Sequence, residues 1–399
     1  MKRTIFLLFF IASCSVAFAI NSFSFGNALQ QAIELFPEKD YSSIRREATR
    51  HSNWFYDLSS EKAILTVNIG EIGGAEKALL LSFDISKILK GNFQGDMNFI
   101  KIPENTLQLI PFEKEGQLQV FSIGEDFISV KKTFSDLESK IFSGIEVPER
   151  RSIDLPLDMT YAGNIYSILA GGRSVSYYLF DKEGQLFEKK ICESSTGMYR
   201  VPRMIRSSKY SNASFATVNI YPENSVVPKH SQIIKIDEPC KILFSSENQV
   251  IGAAALDNTT DTFYVVLFSI EVKEDLVAEI IAINIHSEEI KKVSRISQKI
   301  ADSFDRLLPF TPWLMSVEKD YIGITSVIAP EFSGRINRRA KEWEGAKIDK
   351  NAIKNAVFSF YNSGKLISIL NERDEKNPLG KFSVNIYDFD KKPTETSEP

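Results

Sequence analysis

Short runs of β-branched and aromatic residues, separated by polar turns, restrict the fold of this chain more than any other feature. They include AILTVNI (63–69), ALLLSFD (78–84), LQLIPF (107–112), SVSYYLF (174–180), FATVNIY (215–221), FYVVLFSI (263–270) and FSVNIYDF (382–389). Many alternate with period two, as strands do. They recur about every ten residues, the spacing of an all-β fold.

Three hairpins are legible. In SVSYYLFDKEGQLFEKKI (174–191), Gly184 supplies a positive φ at no steric cost. PFEKEGQLQVFSI (111–123) repeats that turn, and FYNSGKLISIL (360–370) is a third version around Gly364. A longer recurrence is SSENQVIGAA (245–254) against SVEKDYIGIT (316–325). We read each as the turn between the first and second strands of a four-stranded meander, over 240–285 and 312–370. Gly252 and Gly323 then sit in second strands, where a missing side chain allows close packing.

Repeated four-stranded units of about 45 residues predict a β-propeller of about six blades, with a range of five to eight and a few helical insertions. The propeller spans 61–390, after an N-terminal helical segment at 20–60 (26–36 and 40–55 read as helices). FSVNIYDF is a spare strand that could pair with KAILTVNI and close the ring. Insertions are expected at 287–311 and 333–356. In the first, Ile290, Val293, Ile296, Ile300, Phe304 and Leu307 share one helical face, ended by Pro309 and Pro312. The second is basic. The polar tail 391–399 is expected to be disordered.

The first 19 residues, MKRTIFLLFFIASCSVAFA, have the basic start, apolar run and small-residue end of a secretory signal peptide. Cleavage after Ala19 gives an exported chain, periplasmic or extracellular. The alternative is a lipobox, IASC, with Cys14 lipidated and the protein anchored to a membrane. No later stretch is long and apolar enough to span a bilayer. The formal net charge is −4 and becomes more negative when Lys2 and Arg3 are removed. This leaves no electrostatic footprint for nucleic acid. Cys192 and Cys240 remain, either as a disulfide or as two buried thiols.

No catalytic constellation stands out, and no cofactor motif. His51, His230 and His286 lack metal-ligand spacing, and there is no C-x-x-C, G-x-S-x-G or phosphate-binding glycine loop. DNTTDTF (257–263) groups Asp257, Asn258 and Asp261, oxygen ligands that suit calcium, but without the D-x-D-x-D alternation; a solvated turn is the plainer reading, and no metal is expected. In INRRAKEW (336–343), Arg338, Arg339 and Lys341 near Trp343 could grip an acidic ligand or glycan. The competing reading is a solvated insertion with one packed tryptophan.

On the hairpins LFDKEGQL and PFEKEGQL and the two meanders, the chain resembles the bacterial exported β-propellers of loosely repeating, roughly six-bladed type. The resemblance is one of fold over 60–390, without the sequence boxes of WD-repeat, sialidase or quinone-dependent propellers. The fold does not choose a function, and the lack of a catalytic constellation points to a binding or scaffold module for a protein or glycan. The alternative is a propeller hydrolase or lyase with carboxylates meeting at the channel mouth. An outer-membrane barrel would need lipid-facing alternation on every strand, and the polar tail opposes it.

Overall fold

The structure, a computed structural model, describes residues 18–20, 52–57, 62–72, 75–90, 95–101, 108–114, 117–123, 128–132, 140–142, 157–162, 165–170, 174–181, 183–193, 198–206, 214–222, 227–236, 239–257, 259–272, 274–300, 305–311, 313–372 and 381–391. These form seven antiparallel sheets. Sheet 1 holds β1 (Phe18–Ile20), β2 (Ser52–Asp57), β3 (Lys62–Ile72), β4 (Ala75–Asp84) and β5 (Gly95–Lys101), in the order β1-β5-β4-β3-β2. Each of the next five holds four consecutive strands in sequence order. Sheet 2 is β6 (Gln108–Lys114), β7 (Gln117–Ile123), β8 (Ile128–Lys132) and β9 (Lys140–Phe142). Sheet 3 is β10 (Leu157–Ala162), β11 (Ile165–Ala170), β12 (Ser174–Phe180) and β13 (Leu186–Glu193). Sheet 4 is β14 (Met198–Arg206), β15 (Ser214–Tyr221), β16 (His230–Ile236) and β17 (Lys241–Ser246). Sheet 5 is β18 (Gln249–Asp257), β19 (Thr262–Ser269), β20 (Asp275–Asn284) and β21 (Ile290–Lys299). Sheet 6 is β22 (Trp313–Val317), β23 (Tyr321–Ser326), β24 (Gly334–Asn337) and β25 (Trp343–Gly345). Sheet 7 is β26 (Ala356–Asn362), β27 (Lys365–Glu372) and β28 (Lys381–Asp388).

The chain is all-β, built of the successive four-stranded meanders that make the blades of a β-propeller. The seven sheets fall within the expected range of five to eight, one above its centre. Two compact units divide the chain: 1–141 with 372–383, and 142–371 with 384–399. In the first, the long β3–β4 hairpin leads into a one-turn helix, Ile85–Leu89, whose first turn is capped by Asp84.

In the second unit the first strand of each sheet lies against the first strand of the next: β10 on β14, β14 on β18, β18 on β22, β22 on β26. Sheets therefore pack face to face, and central strands are buried on both sides. β19 shows why FYVVLF must be continuously apolar. Phe263, Val265 and Leu267 join a cluster with Phe215 and Ile233 of sheet 4, whereas Tyr264, Val266 and Phe268 join one with Trp313, Met315 and Ile322 of sheet 6. A bulge beside Gly252 shifts the alternation of β18, whereas β20 alternates without a break, and both strands feed both clusters.

Several expectations are corrected. The two recurring decapeptides are not equivalent. SSENQVIGAA joins β17, the last strand of sheet 4, to β18, the first of sheet 5; SVEKDYIGIT is the β22–β23 hairpin. Close packing does hold at both glycines: a Cβ on Gly252 would lie 2.4 Å from Phe268, and one on Gly323 2.2 Å from Tyr361. The helix expected within 287–311 is instead β21, followed by a 3-10 segment, Asp305–Phe310. The outer edge of β20 needs a strand to satisfy its backbone, and a bulge at Val293 brings both that residue and Ile296 to the core side. The insertion expected at 333–356 supplies β24, β25 and a short 3-10 turn, Lys350–Ile353; strands of four and three residues are too short to show a period. FSVNIYDF lies in β28, the third strand of sheet 7, rather than beside KAILTVNI. In the region expected to be helical at 20–60, Ser52–Asp57 is a strand. The leader residues 1–17 with Cys14, the segment 21–51 and the tail 392–399 lie outside the described residues.

Candidate functional site

In the second unit, the turns between first and second strands and between third and fourth strands meet at one end of the sheets. Contacts between those turns establish this: Glu288 of the β20–β21 turn reaches Lys235 and Lys241 around the β16–β17 turn, and Arg338 of the β24–β25 turn reaches Asp257 at the β18–β19 turn. Among the described residues, every positive φ falls in such turns: Gly184, Asp261, Glu288, Lys341, Ser363 and Gly364. Non-glycine residues are uncommon there, and such strain persists only where surroundings hold it. At Asp261 the hold is a contact with His286 Nε2 at 3.1 Å, and at Glu288 it is an ion pair with Lys235 at 2.8 Å.

The basic segment is divided by the fold. Arg338 is the keystone of the seam between sheets 5 and 6. Its Nη2 donates to Asp257 Oδ2 at 2.5 Å and to the Tyr264 hydroxyl at 3.2 Å, and its Nη1 donates to the Glu318 carbonyl at 2.9 Å. Trp343 is half-buried against the core of sheets 5 and 6 and lies over Gly334, where a Cβ would meet its ring at 2.5 Å. Neither side chain is free to grip a ligand. Arg339 and Lys341 do face solvent, Arg339 with 87% of its side chain exposed. Their turn is stiff. Asn337 Oδ1 accepts the Arg339 and Ala340 N–H groups, Lys341 N–H donates to the Asn337 carbonyl, and the Lys341 carbonyl accepts Ser294 Oγ at 2.8 Å.

The Asp257 carboxylate is engaged within its own turn and by Arg338. It is buried, and its oxygens accept from Thr259 N and Oγ1, Thr260 Oγ1 and Arg338. Burial alone would raise its pKa, but the threonine and arginine hydrogen bonds outweigh burial and hold it at about 2. Asp261 turns to His286 instead, and Asn258 lies outside the described residues. Among the described residues no group of three or more His, Cys, Asp or Glu is placed to hold a metal ion. His230 opens β16 of sheet 4 and His286 lies in the β20–β21 turn of sheet 5, and His51 lies outside the described residues.

Three residues that sequence reading passed over carry the next seam. Arg335, in β24, is 4% exposed; Nε donates to Glu344 at 2.7 Å and Nη1 to Asp390 at 2.8 Å, with the guanidinium between the rings of Tyr321 and Phe389. Glu318 accepts the Ser363 N–H at 2.5 Å and so caps the β26–β27 turn. Burial pushes its carboxyl up, only partly offset by that N–H, by Gly364 and by Arg335. Burial also pushes the Tyr361 hydroxyl far above the ordinary tyrosine range, and the charge of Glu318 adds to it. For Arg335 the signal is the GRINRR string itself, which sets it three residues before Arg338 at a strand end. They leave on opposite sides, Arg338 to sheet 5 and Arg335 towards the chain end beside sheet 7.

A raised folded-state pKa means that ionised Glu318 costs stability at neutral pH, a cost that fades as pH falls through that pKa. Glu318→Gln keeps an acceptor for Ser363. It is therefore expected to be at least as stable as the native chain at pH 7, with the difference closing near pH 4. Urea titrations at the two pH values check this, and a clear loss at pH 7 would contradict it.

Cys192, at the end of β13, and Cys240, just before β17, form a disulfide with Cα atoms 5.7 Å apart, joining the outer strands of sheets 3 and 4. No helix among the described residues is long and apolar enough to cross a membrane.

No family model matches the chain, and no curated protein does. Solved structures do resemble it in fold. A functionally unknown protein from Desulfotomaculum acetoxidans is 12% identical with a TM-score of 0.43, covering 74% of this chain and 84% of its own. The Pyrococcus horikoshii acylaminoacyl peptidase is 10% identical with a TM-score of 0.44, over 86% of this chain and 52% of the peptidase. The N-terminal domain of Nup159 is 11% identical with a TM-score of 0.38, over 84% and 89%. Likeness at this level does not choose an activity.

Proposed function

We propose that this chain is an exported β-propeller that acts as a binding module, and that it contacts an acidic protein or glycan through the tight-turn end of sheets 5 and 6. One observation carries the reading: the β24–β25 turn, locked from below by the Arg338–Asp257 pair, holds Arg339 and Lys341 out to solvent. A preorganised turn loses little entropy when it binds, and loops on rigid scaffolds are where recognition concentrates. Arg339 presents a planar fork suited to carboxylates, with Asp320 3.9 Å away as its present neighbour. The export part rests on the leader-like first 19 residues. Lipidation at Cys14 is the alternative, and the mass of the mature chain distinguishes the two.

The test uses immobilised polyglutamate and heparin. The native chain, acidic overall, is expected to be retained at low salt on at least one of them. The double reversal Arg339→Glu with Lys341→Glu is expected to bind at least roughly tenfold more weakly. Equal retention of both proteins would remove the turn from the binding surface.

The hydrolase reading has one observation in its favour. A carboxyl pushed up by burial, as Glu318 is, can serve as a general acid, and it lies beside Tyr361 and Arg335. Its backbone partner in the β26–β27 turn gives it a structural task instead. Hydrolytic activity abolished by Glu318→Gln, without loss of stability, would favour the enzyme.

A further inference from the structure

β17 is held unlike its neighbours. None of its six residues is buried, and Ile242 is 55% exposed; β21, the corresponding strand of sheet 5, buries Ser294 and Ile296. Leu243 and Phe244 give β17 only partial cover against the cluster of Phe215 and Ile233. Its ladder to β16 is broken by a register shift at Ile233/Ile234. That ladder also sets Lys235 opposite Lys241, a like-charge pair that repels across strands. Glu288 relieves the repulsion by bridging both lysines, and it does so from a residue at φ 58°. Beyond the ladder, two attachments hold the start of the strand: the disulfide at Cys240 and the ion pair at Lys241. Its far end stays tied to the next sheet, where Ser246 Oγ donates to Gln249 Oε1 and the chain enters β18 after two residues.

We propose that β17 is a detachable edge strand latched by the Cys192–Cys240 disulfide, and that its reduction by a dithiol lets β17 peel back from its start and uncovers the edge of β16. Cys240 is the more accessible of the two cysteines, Cys192 being 7% exposed. A thiolate of the reductant attacks Cys240 Sγ, and Cys192 leaves as a thiolate and takes a proton. The second thiol of the reductant then displaces Cys240. Two electrons and two protons pass to the protein, and the reductant ends as its own disulfide. Among the described residues, what remains on β17 is a bulged ladder, one screened ion pair, two half-covered apolar side chains and the Ser246–Gln249 hydrogen bond at its far end. The uncovered β16 edge, with its free row of N–H and C=O groups, is a template for an added strand.

The experiment is hydrogen exchange read by mass spectrometry on the folded full chain, oxidised and after dithiothreitol, with Cys240→Ser as the non-reducible counterpart. Amides of 241–246 and of the outer edge of 230–236 are expected to exchange at least roughly tenfold faster without the bond, because opening β17 alone is then no longer opposed by a covalent tie at its start. Amides of β19 and β23 are expected to keep their protection in both. Unchanged exchange at 241–246 would overturn the latch, because the ladder alone then holds the strand. Simultaneous loss of protection in β17, β19 and β23 would overturn it too, because the bond then stabilises the whole unit rather than one strand. A third sample, oxidised Lys241→Ala, separates the two attachments: the latch predicts that β17 stays protected, and release there would assign the hold to Glu288 instead.

Discussion

Arg338→Ala is expected to destabilise the second unit by about 3 kcal/mol, the range measured when one partner of a buried ion pair is removed. Both partners are shielded, with side-chain exposures of 18% for Arg338 and 6% for Asp257, so the orphaned carboxylate cannot simply hydrate. The comparison with Arg335→Ala sharpens the point. There the partners Glu344 and Asp390 are 50% and 67% exposed and can return to water, so the electrostatic part of the loss is smaller and the packing between Tyr321 and Phe389 dominates. A urea titration followed by tryptophan fluorescence reads both losses. The Asp257→Ala, Arg338→Ala double variant should lose clearly less than the sum of the single variants, since the two residues share one interaction. The pair also sets an acid limit. Because the folded-state pKa of Asp257 is depressed to about 2 from 3.8, its contribution is present above about pH 4 and is lost as pH falls from there through 2. That contribution is on the order of 2 kcal/mol at neutral pH. The stability gap between the native chain and Asp257→Asn should therefore narrow across that window. A gap that does not depend on pH would separate the pair from acid sensitivity.

Gly323→Ala is expected to cost about as much, roughly 3 kcal/mol, the upper end of measured overpacking losses. The added methyl would lie 2.2 Å from Tyr361 Cδ1 and 2.7 Å from Tyr361 Cβ. The second distance decides the size of the effect. A ring tip can swing aside, whereas a Cβ moves only with its backbone, so β23 and β26 must separate. Gly345→Ala is the control, because its nearest contact is Trp343 Nε1 at 3.3 Å, and it should cost well under about 1 kcal/mol. In a Tyr361→Ala background, which removes the ring but keeps the Cβ, the Gly323→Ala penalty should fall only in part. A full penalty in that background would point to strand conformation rather than to the ring.

The strands and their turns were legible because each is decided locally. The DKEG turn at 181–184 has the positive φ at Gly184 that its sequence requires, and Ser363–Gly364 closes the β26–β27 hairpin with both residues at positive φ. The site was legible only in part. INRRAKEW drew attention as a basic cluster, but the string does not show that Arg338 is spent on Asp257, 81 positions earlier, while Arg339 beside it stays in solvent. Arg335 left only the faint signal of the GRINRR spacing, and Glu318 and Tyr361 gave none, because each belongs to an ordinary strand or turn and acquires its character from the neighbouring sheet.

The sequence by itself determined that the chain is made of strands, where the tight turns fall, and that 63–69, 174–180 and 263–270 carry core-forming residues. Only the tertiary structure decided which strands share a sheet. Glu247–Asn248 and Glu318–Lys319–Asp320 are both short polar turns between apolar runs, yet the first connects two sheets and the second closes a hairpin within one. Turn chemistry specifies only that the chain reverses. Whether the next strand pairs with the last one or starts a new layer depends on which arrangement buries both faces of strands such as β19, and that burial is supplied by residues tens of positions away in sheets 4 and 6.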